Sequence, residues 1–490
     1  MAGLEPHRSE KTRIRVLSGG EVARIHQHAL HVLADTGLVI HDAEVITLLT
    51  DAGGHVRDDD GGRRVTIPGP VVEGAVSQAP AVVTLYNRLG QEAMALGTGR
   101  LHARTSSGAT GILDRYNGRR RKATSQDAAD AVRLADGLSN VHGVSTMAVQ
   151  PADVPADIVD VHAVRMALAN TVKPLGYVCL NERLIGAVLT MVAVAVGGEG
   201  RLRDRPTITA LAESTSPLQL VSSQLSVLKA FASRRLPLTL HAHPIAGLTA
   251  PVTLAGELVV THAEILALIA IAQLIQPGTP VVYGMSSSVP DMRSAANLSG
   301  AVEIGLLGVA AAQLAQHCGV PCVVSSGCDA HRPGAQSVLE RLMTLLLPAL
   351  AGVDLINLST LDTKMSFSLE QLVIDNAVLS MVERVLRGIA VEDDTLALDL
   401  IEQVGPAGSF VTADHTLEHH RGELLTCELI DHAPREAWEA AGAMDMATRA
   451  RQEVERLLAE HRPPPPPAQV AAQLDEITRA AGPVDRPPSW

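Results

Sequence analysis

The sequence predicts an α/β protein built as a (β/α)8 TIM barrel with an N-terminal cap and a C-terminal helical extension. Short β-rich apolar runs ending in small or polar residues recur at similar spacing from about residue 141. Longer amphipathic stretches separate them, and 490 residues suffice for one elaborated barrel.

Seven such runs fall at residues 142–147, 174–180, 207–212, 236–243, 280–285, 321–326 and 353–359. A closed barrel needs an eighth strand, near 101–109 or near 409–412. Apolar residues at helical spacing mark 156–169, 219–233, 258–274, 301–316, 336–349 and 369–386. Ahead of the barrel, 18–36 and 43–52 read as amphipathic helices, and 64–68 and 82–86 as strands of a small cap over one barrel end. Beyond Arg387 come a mixed region, a helix over 434–460, a proline run over 463–467 and a last helix near 469–480. The proline run reads as a stiff surface linker, or else as a ligand for a proline-binding module. The expected organisation is a cap over residues 1–135, a barrel body over 136–400 and an extension over 401–490.

A formal charge of -13, with basic residues scattered except for Arg119, Arg120, Arg121 and Lys122, argues against nucleic acid as a partner. Met1 to Arg15 mix charges without an apolar stretch, and no later segment offers about eighteen uninterrupted apolar residues. A soluble, non-exported protein with no membrane partner is expected. The five sparse cysteines, Cys179, Cys318, Cys322, Cys328 and Cys427, suit a reducing compartment, hence the cytoplasm. Only four Tyr, three Phe and two Trp occur, so the core must be aliphatic and an aromatic near a site is informative.

Barrel chemistry belongs at the C-terminal ends of the strands, where the sequence offers Tyr177, Glu213, His241, His243, Tyr283, Asp329 and Asn357. Asp329 follows an apolar run and a glycine, which makes it the candidate catalytic carboxylate. His241 and His243 alternate on a strand and so point to one side. With Cys318, Cys322 or Cys328 they could chelate zinc; otherwise they line a substrate pocket.

Several further segments, spread over nearly the whole chain, carry distinctive strings. They include Asp51, Ala52 and Gly53; Tyr86, Asn87 and Arg88; and Ser216, Pro217 and Leu218. The most specific block runs Gly247, Ala250, Pro251, Val252, Thr253, Leu254, Ala255, Gly256, then Ala263, Glu264, Gln273, Pro277, Gly278, Tyr283 and Gly284. Asp291, Arg293, Glu303, Asp329, Gln336, His415, Thr416, His419 and Trp438 continue it, and through these segments the chain resembles the trimethylamine methyltransferase family over nearly its whole length. Ser409 stands where the family has a histidine, His331 where a lysine is common and Gly334 where an aspartate is frequent.

The resemblance implies a barrel that takes a methyl group from a methylated amine and delivers it to Co(I) of a corrinoid (cobalamin) carried by a separate small protein. The chain has no pyrrolysine, so it resembles the branch that demethylates quaternary amines such as glycine betaine, proline betaine or carnitine. A small methylated amine as substrate, a corrinoid-binding partner, a homo-oligomer and no metal in this chain follow as expectations. A quaternary nitrogen needs positioning for in-line displacement rather than a strong base. Rings and carboxylates would hold the cation: Tyr177 and Tyr283 with Asp329 and Glu303, alongside His241, His243, His331 and Gln336. Either tyrosine can instead be a rim or core residue, Glu303 can simply pair with Arg293, and Gln336 can cap a helix. Asp160, Val161 and His162 match the start of an Asp-x-His-x-x-Gly corrinoid motif, but Arg165 occupies the glycine position. Two other readings stand beside this one: a metal-dependent barrel hydrolase using His241 and His243, and a non-catalytic sensor of methylated cations.

Overall fold

A run that is apolar on both faces is stable only between helices, and parallel neighbours require a crossover between successive strands. In the computed structural model, which describes residues 13–59, 62–294, 296–427 and 429–482, the chain follows that rule. The barrel strands are β1 (His102–Thr105), β2 (Val144–Ser145), β3 (Leu175–Tyr177) and β4 (Ile208–Glu213). They continue with β5 (Leu238–Ala242), β6 (Val281–Met285), β7 (Cys322–Ser325) and β8 (Leu355–Leu358). From β2 onward each pairs in parallel with the next, β8 pairs with β1, and an isolated bridge from Arg104 to Gly143 links β1 back to the start of β2. The eighth strand is thus the one near 101–109. Residues 409–412 form no strand, and Val411 there is exposed.

Eight helices follow the eight strands: α1 (Ser125–Gly137), α2 (Val159–Asn170), α3 (Ile185–Val196), α4 (Ser222–Ala232), α5 (Leu254–Ile275), α6 (Val302–His317), α7 (Ala335–Ala351) and α8 (Leu369–Arg387). Helix α5 has the length and apolar composition of a membrane span, yet 78% of its apolar window is buried inside the protein. It is apolar all round because barrel strands cover one side and cap helices another. Strand β1 and helix α1 lie inside the segment assigned by sequence to the cap, so the barrel body begins near residue 102 rather than 136.

The cap opens with helix Gly19–His31, whose start is fixed by reciprocal bonds between Ser18 and Glu21. Of the mixed stretch at the start of the chain, residues 1–12 lie outside the described residues. A hairpin, Val83–Tyr86 with Glu92–Leu96, packs Val83, Leu85, Met94 and Leu96 against Val282, Val323 and Leu355 of the barrel. It plugs the N-terminal end, and the opposite end is left for chemistry.

Residues 434–460 form two helices rather than one, Arg435–Ala440 and Met446–Glu460. The break coincides with Gly442 and Ala443, both with positive φ (97° and 51°). The proline run is held against the cap, since the Arg88 guanidinium donates to the Pro464 carbonyl. It returns the chain so that the final helix, Ala468–Ala481, packs on α2 and α3.

Candidate active site at the barrel mouth

Alternate strand residues face the barrel axis, and two inward positions are glycine. A Cβ at Gly284 of β6 would sit 2.0 Å from His241 Cδ2, and one at Gly176 of β3 would sit 2.9 Å from Arg104 Nη1. The missing side chains make room inside the barrel for two large polar groups, both buried. Arg104 Nε donates to Asn357 Oδ1 of β8 (2.9 Å), and no carboxylate among the described residues pairs with its guanidinium. Burial pushes Arg104 down to about 10, which leaves it charged at neutral pH. Neither ring nitrogen of His241 has a hydrogen-bond partner among the described residues. Burial, reinforced by His243, Arg104 and Lys364, holds this imidazole neutral, well below its ordinary value. A free donor and a free acceptor therefore face the cavity.

That cavity, of about 50 Å³, is also lined by Asn357, Lys364, His243 and the hydroxyl-bearing Ser145, Ser286 and Ser325. Near the rim His243 Nδ1 stands 3.6 Å from Glu213 Oε2; burial lowers the imidazole and the carboxylate offsets part of that. Lys364 arrives on a hairpin, Thr360–Leu361 paired with Ser366–Phe367. Its turn holds Asp362, Thr363 and Lys364 at φ of 50°, 52° and 72°. Three consecutive non-glycine residues in the left-handed region cost roughly 1–2 kcal/mol each. Hydrogen bonds hold them there. Thr363 Oγ1 lies 2.9 Å from Asp329 Oδ1, Asp362 N donates to Ala330 O (3.2 Å), Thr363 N donates to Cys328 O (3.1 Å), and His331 pairs with Asp362. Burial lowers Lys364 to about 8, against the pull of Glu213 and Asp329.

His241, His243 and Asn357 thus line the mouth as the sequence suggested, Glu213 stands near its rim, and the remaining candidate side chains are engaged otherwise. Tyr177 is adjacent to inward Gly176 and so turns its ring into the helix layer, where its hydroxyl donates to Asp160 Oδ2 (2.7 Å) and the ring stacks on Phe231. Tyr283, next to inward Gly284, likewise points outward and bonds His262 Nδ1 (3.0 Å). Neither ring can cage a cation in the barrel. Asp329 already accepts from Ser299 N (2.8 Å), Ser299 Oγ (3.0 Å), Gly300 N (2.8 Å) and Thr363 Oγ1, so it anchors the turn that presents Lys364. It is a positioning residue rather than a reacting one. His331 is exposed and secures the same turn. Gln336 donates to Glu340 Oε1 (2.7 Å), whose other oxygen accepts from Asp329 N and Ala330 N. Glu303 sits in the first turn of α6 and does not line the cavity.

Among the described residues Cys318, Cys322 and Cys328 form no ligand group with His241 and His243. The segment from Asp160 to His162 lies buried in α2, with Asp160 committed to Tyr177 and Leu180 N. It does not fit a corrinoid-ligating loop. Sequence reasoning missed Arg104 and Lys364. Glycines inside the β3 and β6 runs were the available signal, since a strand glycine often marks close approach by another group.

The family model described as trimethylamine methyltransferase matches residues 4–481. Similar proteins include a trimethylamine methyltransferase from Desulfitobacterium hafniense (strain DSM 10664 / DCB-2), 34% identical over 94% of this chain and 92% of its own. A glycine betaine methyltransferase from Desulfitobacterium hafniense (strain Y51) is 30% identical over 96% of this chain and 98% of its own. Among solved structures, the hydroxylamine complex of MtmB aligns over 92% of this chain and 90% of its own at 11% identity, with a TM-score of 0.49.

Proposed function

This chain belongs to the trimethylamine methyltransferase family of corrinoid-dependent enzymes, and we propose that its own methyl donor is a betaine-like zwitterion, a quaternary ammonium joined to a carboxylate. The supporting observation is the charge of the mouth: Arg104 and Lys364 line it and form no ion pair among the described residues, and the facing carboxylate is Glu213 near the rim. A substrate carboxylate would satisfy Arg104 and the neighbouring serine hydroxyls through charge-assisted hydrogen bonds. The ammonium would then lie toward Glu213 and the open end, with a methyl group presented outward.

The corrinoid supplies a nucleophilic cobalt that accepts the methyl group, and on this reading it is brought to the open end by a partner protein. This chain's residues bind and orient. Displacement at a quaternary nitrogen releases a neutral tertiary amine, so no proton has to be delivered, and a neutral His241 suits a site that holds substrate without titrating it. The hydrolase reading loses its support because His241 and His243 lack a third ligand among the described residues.

The test is mass-spectrometric detection of demethylated product from glycine betaine, proline betaine, carnitine, choline and trimethylamine, with a reduced corrinoid protein present. Turnover of a carboxylate-bearing amine, and not of choline or trimethylamine, is expected. Turnover of trimethylamine alone would overturn the proposal, and tight betaine binding without product would favour the sensor reading.

A further inference from the structure

On the outer face of β6, away from the barrel mouth, three helices converge on a buried group of metal-type donors. His26 comes from the cap helix Gly19–His31, His262 from α5, and Cys318 from the end of α6. His26 and His262 are buried, Cys318 is partly so, and one ligand atom from each lies within 4.8 Å of the others. His26 Nδ1 and His262 Nε2 are 2.9 Å apart. Two nitrogens on a tetrahedral zinc, at 2.0–2.1 Å from the ion, sit roughly 3.4 Å apart, so a small displacement would admit one.

The remaining ring nitrogens are arranged as ligands require. His262 Nδ1 meets the Tyr283 hydroxyl at 3.0 Å, and His26 Nε2 faces Glu73 Oε1 at 3.9 Å. Ligating imidazoles characteristically turn their second nitrogen to such a partner, which fixes the tautomer. The ring of His317 lies 4.8 Å from that of His26.

The sequence led us to expect no metal in this chain. We propose instead that His26 Nδ1, His262 Nε2 and Cys318 Sγ bind one divalent zinc ion, with His317 or water in the fourth position, and that the ion pins the N-terminal cap to the barrel. Binding would convert the Cys318 thiol to a thiolate and release its proton to solvent. The donor set mixes sulfur and imidazole nitrogen, which selects zinc over calcium or magnesium. A second histidine group lies on the surface: His415 and His419, one helical turn apart, with Asp394. Asp394 already engages both, through its carboxylate at 3.2 Å from His419 Nε2 and its carbonyl at 3.1 Å from His415 Nε2. It serves as the control.

Tag-free full-length protein purified without chelator is expected to hold about one zinc per chain by elemental mass spectrometry. Replacement by Co(II) should give a thiolate-to-cobalt charge-transfer band that disappears in Cys318→Ser. His262→Gln and Cys318→Ser should weaken zinc binding at least tenfold, whereas a His415→Gln/His419→Gln variant should keep it. Chelation should lower the Tm of the wild type, and added zinc should restore it; this measurement stands even where His262→Gln fails to fold. Metal-free protein whose Tm ignores added zinc would overturn the proposal. So would zinc that is lost with His415 and His419 but retained in Cys318→Ser; the buried histidines would then be a hydrogen-bonded relay.

Discussion

Replacing Glu257 by Gln should stabilise the protein at alkaline pH and do progressively less as the pH falls. Glu257 stands in the first turn of α5, fully buried, and neither carboxylate oxygen has a hydrogen-bond partner among the described residues. Burial raises its pKa from 4.5 to about 7, with the nearby Ser287 hydroxyl offsetting part of the effect. The native state therefore holds a proton that the unfolded chain has released across this interval. Stability is greatest below the unfolded value of 4.5 and falls as pH rises toward 7. The full interval corresponds to ~3 kcal/mol, and the part between about pH 5.5 and 8 to ~2 kcal/mol. A chain this long unfolds with an entropy of ~1 kcal/mol per kelvin, so the variant's Tm advantage should grow by ~2 °C over that range. Paired calorimetric scans of variant and wild type at both pH values read it directly. A Tm difference that is constant with pH, or that shrinks as pH rises, would mean that Glu257 ionises normally and has a partner.

Arg104→Gln should weaken binding of glycine betaine by roughly 10- to 150-fold, the worth of a lost charge-assisted hydrogen bond of ~1.5–3 kcal/mol, while strengthening the weak binding of tetramethylammonium in titration calorimetry, because it removes a like charge from the mouth. Asp329→Ala should abolish turnover with the fold intact, by releasing Thr363 and with it the turn that presents Lys364; an unchanged KM and kcat would remove the residue from the site. Arg341→Met should cost ~3–5 kcal/mol of stability, read by denaturant unfolding, because it strands Asp375 in the fully buried pair at 3.1 Å. Gly284→Ala should abolish activity because its Cβ would land on the His241 ring, whereas Gly176→Ala meets only the tip of the Arg104 guanidinium and should retain measurable turnover.

Seven barrel strands were legible because each is an apolar run between helical stretches, and their order in the sheet follows from parallel, adjacent connection. The eighth was ambiguous: β1 reads His102, Ala103, Arg104, Thr105, and the Arg that serves the site spoils the apolar pattern. Helix α3 carries almost no polar residues and so shows no face to detect. The tyrosines misled for a related reason. Their scarcity and their place at strand ends suggested a pocket, but a period of two sends Tyr177 and Tyr283 to the face opposite Gly176 and Gly284. Asp329 was rightly located in the loop after β7, yet its role was hidden, since nothing local reveals that Ser299, Gly300 and Thr363 fold back upon it.

The charge of the mouth bears on selectivity within a family whose members take different methylated amines. Against Arg104 and Lys364, a protonated trimethylamine would bring a third positive charge and no anion. At an effective dielectric of about 20, like charges ~6 Å apart repel by ~3 kcal/mol, which corresponds to more than a hundredfold in affinity for each cation left uncompensated. A betaine reverses the sign of that encounter, because its carboxylate stands between the ammonium and the buried guanidinium. Glu213, 3.6 Å from His243 near the rim, is then placed where the ammonium would emerge. The sequential arrangement of cation, substrate anion, substrate cation and rim carboxylate leaves no charge in the mouth without an opposite neighbour. On the proposed reading, that balance is available to a zwitterion and not to a simple methylamine.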